Sequence, residues 1–130
     1  MKALDTNVLL RYLLRDDPAQ ARTAKSFIDR ECSAEAPGFI NRIVLCETVW
    51  VLERGYSYSR DAVYEVLGNL LLAQQLAIED RDEALAALRE YREGADFSDS
   101  MIAAINRRLG CEYTATFDQK AGRREGFRLL

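Results

Sequence analysis

Apolar and polar positions alternate along the chain with two distinct periods, one short and one helical. Residues 2–5 read as a short buried strand, and Leu9, Leu10, Leu13 and Leu14 in NVLLRYLLRDD recur at helical spacing, so a strand feeds directly into a helix. Pro18 opens a second helix over PAQARTAKSFIDREC, with Ala21, Ala24, Phe27 and Ile28 along one face. APGFIN is predicted as the second strand, followed by a helix over RIVLCETVWVLERG that stops near Gly55. SRDAVYEVLGNLLLAQQ is another helix and LAIED a third strand. Asp80 and Glu83 are spaced as a capping box opening the helix that runs to Gly94. DFSDSMIAAINRRLGC is a helix ended by Gly110, EYTATFD an alternating strand, and GFRLL a last short strand. Strands alternating with helices imply right-handed crossovers and parallel pairing. The expected fold is α/β, a three-layer α/β/α sandwich with a mainly parallel central sheet.

A chain of 130 residues, 48% hydrophobic and 30% charged, fits a single domain over residues 1–130. No apolar run approaches the roughly 20 residues of a membrane span, and no secretory pattern opens the chain, so the expected location is cytoplasmic, with no membrane partner. Cys32, Cys46 and Cys111 are odd in number and lack a CxxC pair, which argues for buried reduced thiols rather than a disulfide framework. Histidine is absent, which excludes a Ser-His-Asp triad, an imidazole base and a His-ligated zinc. If the protein is an enzyme, carboxylates are its working groups.

The acids are unevenly placed. From Glu79 to Asp99 eight acids face three arginines, whereas after Asp118 the balance reverses, with Lys120, Arg123, Arg124 and Arg128 against Glu125. Such asymmetry suits a polyanion touching one rim, as well as plain solvated charge. In open parallel sheets functional residues collect beyond the carboxyl ends of the strands. Asp5 ends the first strand, Asp118 ends the EYTATF strand, and Asp96 and Asp99 open the helix before it. Glu47 has only apolar helical neighbours, Ile43, Val44, Trp50 and Val51, a face on which an unpaired carboxylate is costly to bury. Asp96 and Asp99, at i and i+3, repel unless something positive lies between them.

A divalent ion resolves these tensions. Mg²⁺ and Mn²⁺ prefer carboxylate oxygen and water, and clustered acids without histidine fit metal-assisted nucleic-acid hydrolysis. Plainer readings stand beside this one: Asp5 as a turn residue, Asp96 as an N-cap with Asp99 favoured by the helix dipole, Asp118 as a loop acid and Glu47 as a solvated helix acid. Asn7 and Thr116 fit either capping or hydrogen bonds that support an acid.

LDTN near the start, the lone Glu of CETVWVL, ADFSDSMIAA and TATFDQKA, in this order and ending on GFRLL, together resemble the PIN domain, in particular the VapC-type toxins of toxin–antitoxin systems. The resemblance implies an α/β/α sandwich that binds Mg²⁺ or Mn²⁺ and cuts single-stranded or structured RNA. It places a four-acid site on Asp5, Glu47, Asp99 and Asp118, with Asp96 as an additional acid and Asp5 and Asp99 as the usual metal ligands. It further implies a homodimer neutralised by a cognate antitoxin. Lys120 stands where some members carry a further acid, which makes one metal the expectation and gives Lys120, with Arg123 and Arg124, a phosphate-binding role. Two rival readings are a non-catalytic module that binds protein or RNA, and a haloacid-dehalogenase-like phosphatase, which needs a second aspartate where this chain has Asn7.

Overall fold

Three short parallel strands organise the first half of the chain: β1 (Lys2–Ala3), β2 (Gly38–Ile40) and β3 (Leu76–Ile78), in that spatial order. Lys2 pairs with Gly38 and Ala3 with Phe39, while Gly38, Phe39 and Ile40 pair with Leu76, Ala77 and Ile78. The computed structural model describes all residues from Met1 to Leu130. It divides into two compact units, Met1–Arg81 and Asp82–Leu130.

Parallel neighbours require long crossovers, and in the first unit helices supply them. α1 (Thr6–Leu14) and α2 (Pro18–Glu31) connect β1 to β2; α3 (Arg42–Arg54) and α4 (Arg60–Leu72) connect β2 to β3. Each start is sealed by a short polar side chain. Asp17, Asn41 and Ser59 accept the amides of Gln20, Val44 and Ala62 at 3.1, 2.8 and 3.1 Å, satisfying donors a helix cannot pair internally. Leu9, Ile28, Ile40, Leu45, Leu52, Leu67 and Leu71 form the fully buried core of this unit; each contributes about 1.5–3 kcal/mol by leaving water. Gly38 in β2 leaves room for Cys32, whose sulfur would stand 2.9 Å from a Cβ placed there.

The second unit carries α5 (Arg81–Arg92), α6 (Phe97–Arg108), β4 (Thr114–Thr116), a 3-10 turn (Ala121–Arg123) and β5 (Phe127–Leu129). β4 and β5 run parallel, with Thr114, Ala115 and Thr116 opposite Phe127, Arg128 and Leu129. Tyr91 of α5 and Phe97 of α6 meet edge to face, 6.3 Å apart at 81°, and Glu83 pairs with Arg108. Gly110 at φ 90° ends α6, as its position after the apolar repeat predicts.

The α/β class with parallel pairing expected from the sequence is the class observed, with six helices between and beside the strands. Three local expectations differ. Asp80 does not take the extended backbone of an N-cap: its φ is 54°, and its carboxylate accepts a hydrogen bond from Arg42 at 3.1 Å. Only Cys32 of the three free thiols is buried; Cys46 is half-buried and Cys111 exposed. Strand β4 covers three residues rather than the seven of EYTATFD, because β5 pairs with it at three positions only. No helix is long and apolar enough to cross a membrane.

Candidate functional site

The second unit gathers three acids through local backbone chemistry. Asp96, in extended conformation, is the N-cap of α6, and its carboxylate accepts the Asp99 amide at 3.0 Å. That cap fixes Asp99 in the first turn. Asp118 follows β4 and is held at two points: its amide donates to Thr116 Oγ1 at 3.0 Å, and its Oδ1 accepts the amide of Ala121, the first residue of the 3-10 turn, at 2.8 Å. Asp96, Asp99 and Asp118 line one pocket of about 240 Å³ together with Lys120, Arg124 and Phe127. Arg123 is exposed and is not among the lining residues.

The surroundings of Asp99 disfavour its ionised form. Burial pushes the Asp99 carboxyl above its ordinary range, and the nearby charges of Asp96 and Asp118 push it further. Next to Asp99, the hydroxyl of Ser100 is buried without a hydrogen-bond partner, a costly state for a polar atom. A hard cation among the three carboxylates would offset their mutual repulsion. No three acidic or cysteine side chains converge into a ready-made cage anywhere in the chain. Mg²⁺ does not demand one, since it commonly takes one or two carboxylates and completes its shell with water and phosphate oxygen. The residues present therefore fit Mg²⁺ or Mn²⁺.

The first unit carries the remaining predicted acids. Asp5 is the N-cap of α1, with its Oδ1 accepting the Thr6 amide at 2.8 Å. The Thr6 hydroxyl is buried and unpartnered like that of Ser100. The sequence reading singled out neither hydroxyl; the only signal for them was a small hydroxylated residue directly after each acid, in DT and DS. Asn7 lines a separate, larger and mainly apolar cleft of about 490 Å³ with Val8, Arg11 and Phe27. That cleft has no acid in its lining and lacks the donor chemistry of the acidic pocket.

Glu47, on a face where a carboxylate would be costly to bury, is exposed, flanked by Ile43 and Trp50 that are themselves 72% and 57% exposed. The apolar stripe is a surface stripe, and solvent hydrates the carboxylate.

The model of the family described as PIN domain matches residues 2–126. The chain is 27% identical over 122 residues to a protein named VapC ribonuclease from Aquifex aeolicus (strain VF5), covering 92% of this chain and 89% of that one.

Proposed function

Because the chain belongs to the PIN domain family, we propose that it is a metal-dependent endoribonuclease, the toxin of a toxin–antitoxin pair. The observation that carries this reading is the pocket in which Asp96, Asp99 and Asp118 stand with Lys120 and Arg124, acids to hold a cation beside bases to hold phosphate. The relative named VapC ribonuclease supports the same activity. Since the family match spans residues 2–126, both compact units are taken to work as one PIN domain.

In this reading, which follows the family resemblance, Asp5 and Asp99 would be the principal residues to hold Mg²⁺ or Mn²⁺, with Asp96 and Asp118 as further carboxylates, and the bound ion would supply Lewis-acid stabilisation and a more acidic water. Glu47 or Asp118 takes the proton as the water oxygen bonds to phosphorus. The bond from phosphorus to the leaving ribose oxygen breaks, and that oxygen is protonated from solvent. Lys120, Arg123 and Arg124 bind flanking phosphates as point and fork donors. Asn7 and Thr116 act as supports, Thr116 through the Asp118 amide. The protein works in the cytoplasm as a homodimer and is neutralised by a cognate antitoxin.

The test is incubation of the purified protein with a mixed cellular RNA pool in Mg²⁺, Mn²⁺ or EDTA. Cutting in either metal and none in EDTA is expected; an intact pool in both metals contradicts the proposal. Co-purification with the product of an adjoining small reading frame tests the antitoxin separately.

A further inference from the structure

Two loops at the carboxyl ends of neighbouring parallel strands are laced together at the start of α3. β2 ends at Ile40 and β3 at Ile78. Beyond them the Glu79 amide donates to the Ile40 carbonyl at 2.9 Å, and the Arg42 amide, the first of α3, donates to Glu79 Oε1 at 2.9 Å. The Arg42 guanidinium donates to Asp80 Oδ2 at 3.1 Å and lies 4.0 Å from Glu79 Oε1. Asp80 holds a left-handed backbone at φ 54°, a conformation that a residue other than glycine keeps only where its surroundings fix it. Arg42 thus meets residues 37 and 38 positions further along the chain.

Asn41 already caps α3 by accepting the Val44 amide at 2.8 Å. Glu79 adds a second cap, one that comes from the end of another strand and so ties the helix to the sheet. As a source of stability this lacing is weak: the side chains of Arg42 and Glu79 are 44% and 37% exposed, and ion pairs so open to solvent contribute little. What it fixes is position. Glu47 lies five residues beyond Arg42, about 7.5 Å along the helix axis, and is exposed, so its carboxylate is placed by the helix that carries it. A shift or rotation at Arg42 reaches Glu47 over little more than one turn.

We propose that Glu79 is a positioning residue for RNA cleavage: through Arg42 it sets where α3 begins on the sheet, and with it where the Glu47 carboxylate stands. The inference rests on the nuclease reading above, with Glu47 as an acceptor for the proton of the attacking water. Magnitudes separate this role from that of an ion pair that only steadies the fold. Losing an exposed pair hardly moves stability, whereas a misplacement of about 1 Å at the chemistry costs up to about 100-fold in rate.

The test is single-turnover cleavage of an RNA pool in Mg²⁺ or Mn²⁺ by wild type, Glu79→Ala, Glu79→Gln, Glu47→Gln and the double variant Glu47→Gln/Glu79→Ala, read as maximal rate and half-saturating protein concentration. Glu79→Ala is expected to lower the maximal rate roughly tenfold or more, with half-saturation within about twofold of wild type and Tm lowered by no more than about 5 °C. Glu79→Gln, whose side-chain oxygen still accepts the Arg42 amide, is expected to stay within about threefold of wild type. In the Glu47→Gln background the Glu79→Ala change is expected to cost no more than about twofold, because residues that act through one group are not additive. The same tenfold loss in both backgrounds overturns the inference and leaves Glu79 a structural residue. So does a Glu79→Ala rate within about twofold of wild type, or a Glu79→Gln rate as low as that of Glu79→Ala. Equal cutting by wild type and Glu47→Gln overturns it too, while the nuclease reading stands with Asp118 as the acceptor. No cutting by the wild type in either metal contradicts the nuclease reading itself, and the inference falls with it.

Discussion

The Asp96 carboxylate accepts the Asp99 amide at 3.0 Å, while its charge helps raise the Asp99 carboxyl above its ordinary range. One side chain therefore does two things: it starts α6, and it opposes the ionisation of the acid it positions.

These two roles of Asp96 separate by substitution. Asp96→Ala removes the cap and is predicted to cost about 1 kcal/mol of stability, whereas Asp96→Asn keeps an accepting oxygen and costs a few tenths at most. The Asn variant also removes one of the charges that raise Asp99. Urea unfolding midpoints measure the stabilities, and carboxyl titration by NMR is expected to show the Asp99 value falling in Asp96→Asn.

Asp99 links pH, metal and stability. A carboxyl raised in the folded state binds its proton more tightly there than in the unfolded chain, so ionising it costs stability. In EDTA, Asp99 is predicted to cost nothing below its ordinary value of 3.8 and to cost progressively more as pH rises through its raised value. Burial and the two neighbouring charges thus outweigh the favourable helix dipole at this first-turn position. Asp99→Asn is accordingly expected to be a few tenths of a kcal/mol more stable than wild type at neutral pH, with the difference closing in acid. Mg²⁺ at about 100 times its Kd is expected to add about 2.7 kcal/mol to the wild type and little to the variant. Thermal unfolding across pH, with and without Mg²⁺, measures both.

Glu47 discriminates a chemical from a structural role. It is exposed, so Glu47→Gln is predicted to change stability by no more than about 0.5 kcal/mol, yet to lower RNA cutting by about 100-fold if its carboxylate handles the proton of the attacking water. Single-turnover cleavage beside an unfolding curve tests it; unchanged cleavage removes Glu47 from the proposed acid set.

Lys120 and Arg124 line the same pocket as the acids. Replacing either by Ala is predicted to weaken single-stranded RNA binding uniformly across sequences and to reduce the slope of log affinity against log salt by about 0.7, one phosphate contact each. A salt titration of binding gives the slope, and an unchanged slope excludes that residue from phosphate contact.

What the sequence made legible follows from how local each feature is. α3 was expected from Arg42 to near Gly55 and runs to Arg54, because Asn41 caps its start and the apolar repeat carries its length. The pocket acids were legible because each has a local backbone reason to be where it is: Asp96 as a cap before an apolar repeat, Asp118 at the end of an alternating strand. The surroundings of Glu47 were not legible for the converse reason. A helical face of Ile43, Trp50 and their neighbours looks buried from spacing alone, but whether anything covers it is a tertiary matter, and in this chain nothing covers Ile43 or Trp50 fully.

The central claim is tested most directly by single-turnover cleavage of an RNA pool in Mg²⁺ by wild type, Asp99→Asn and Asp5→Asn, each verified as folded by circular dichroism. Metal-dependent cutting by the wild type and its loss in both variants are predicted, as for removal of a principal metal ligand. Cutting within tenfold of wild type by either folded variant would contradict the assignment of these acids to the metal and its chemistry.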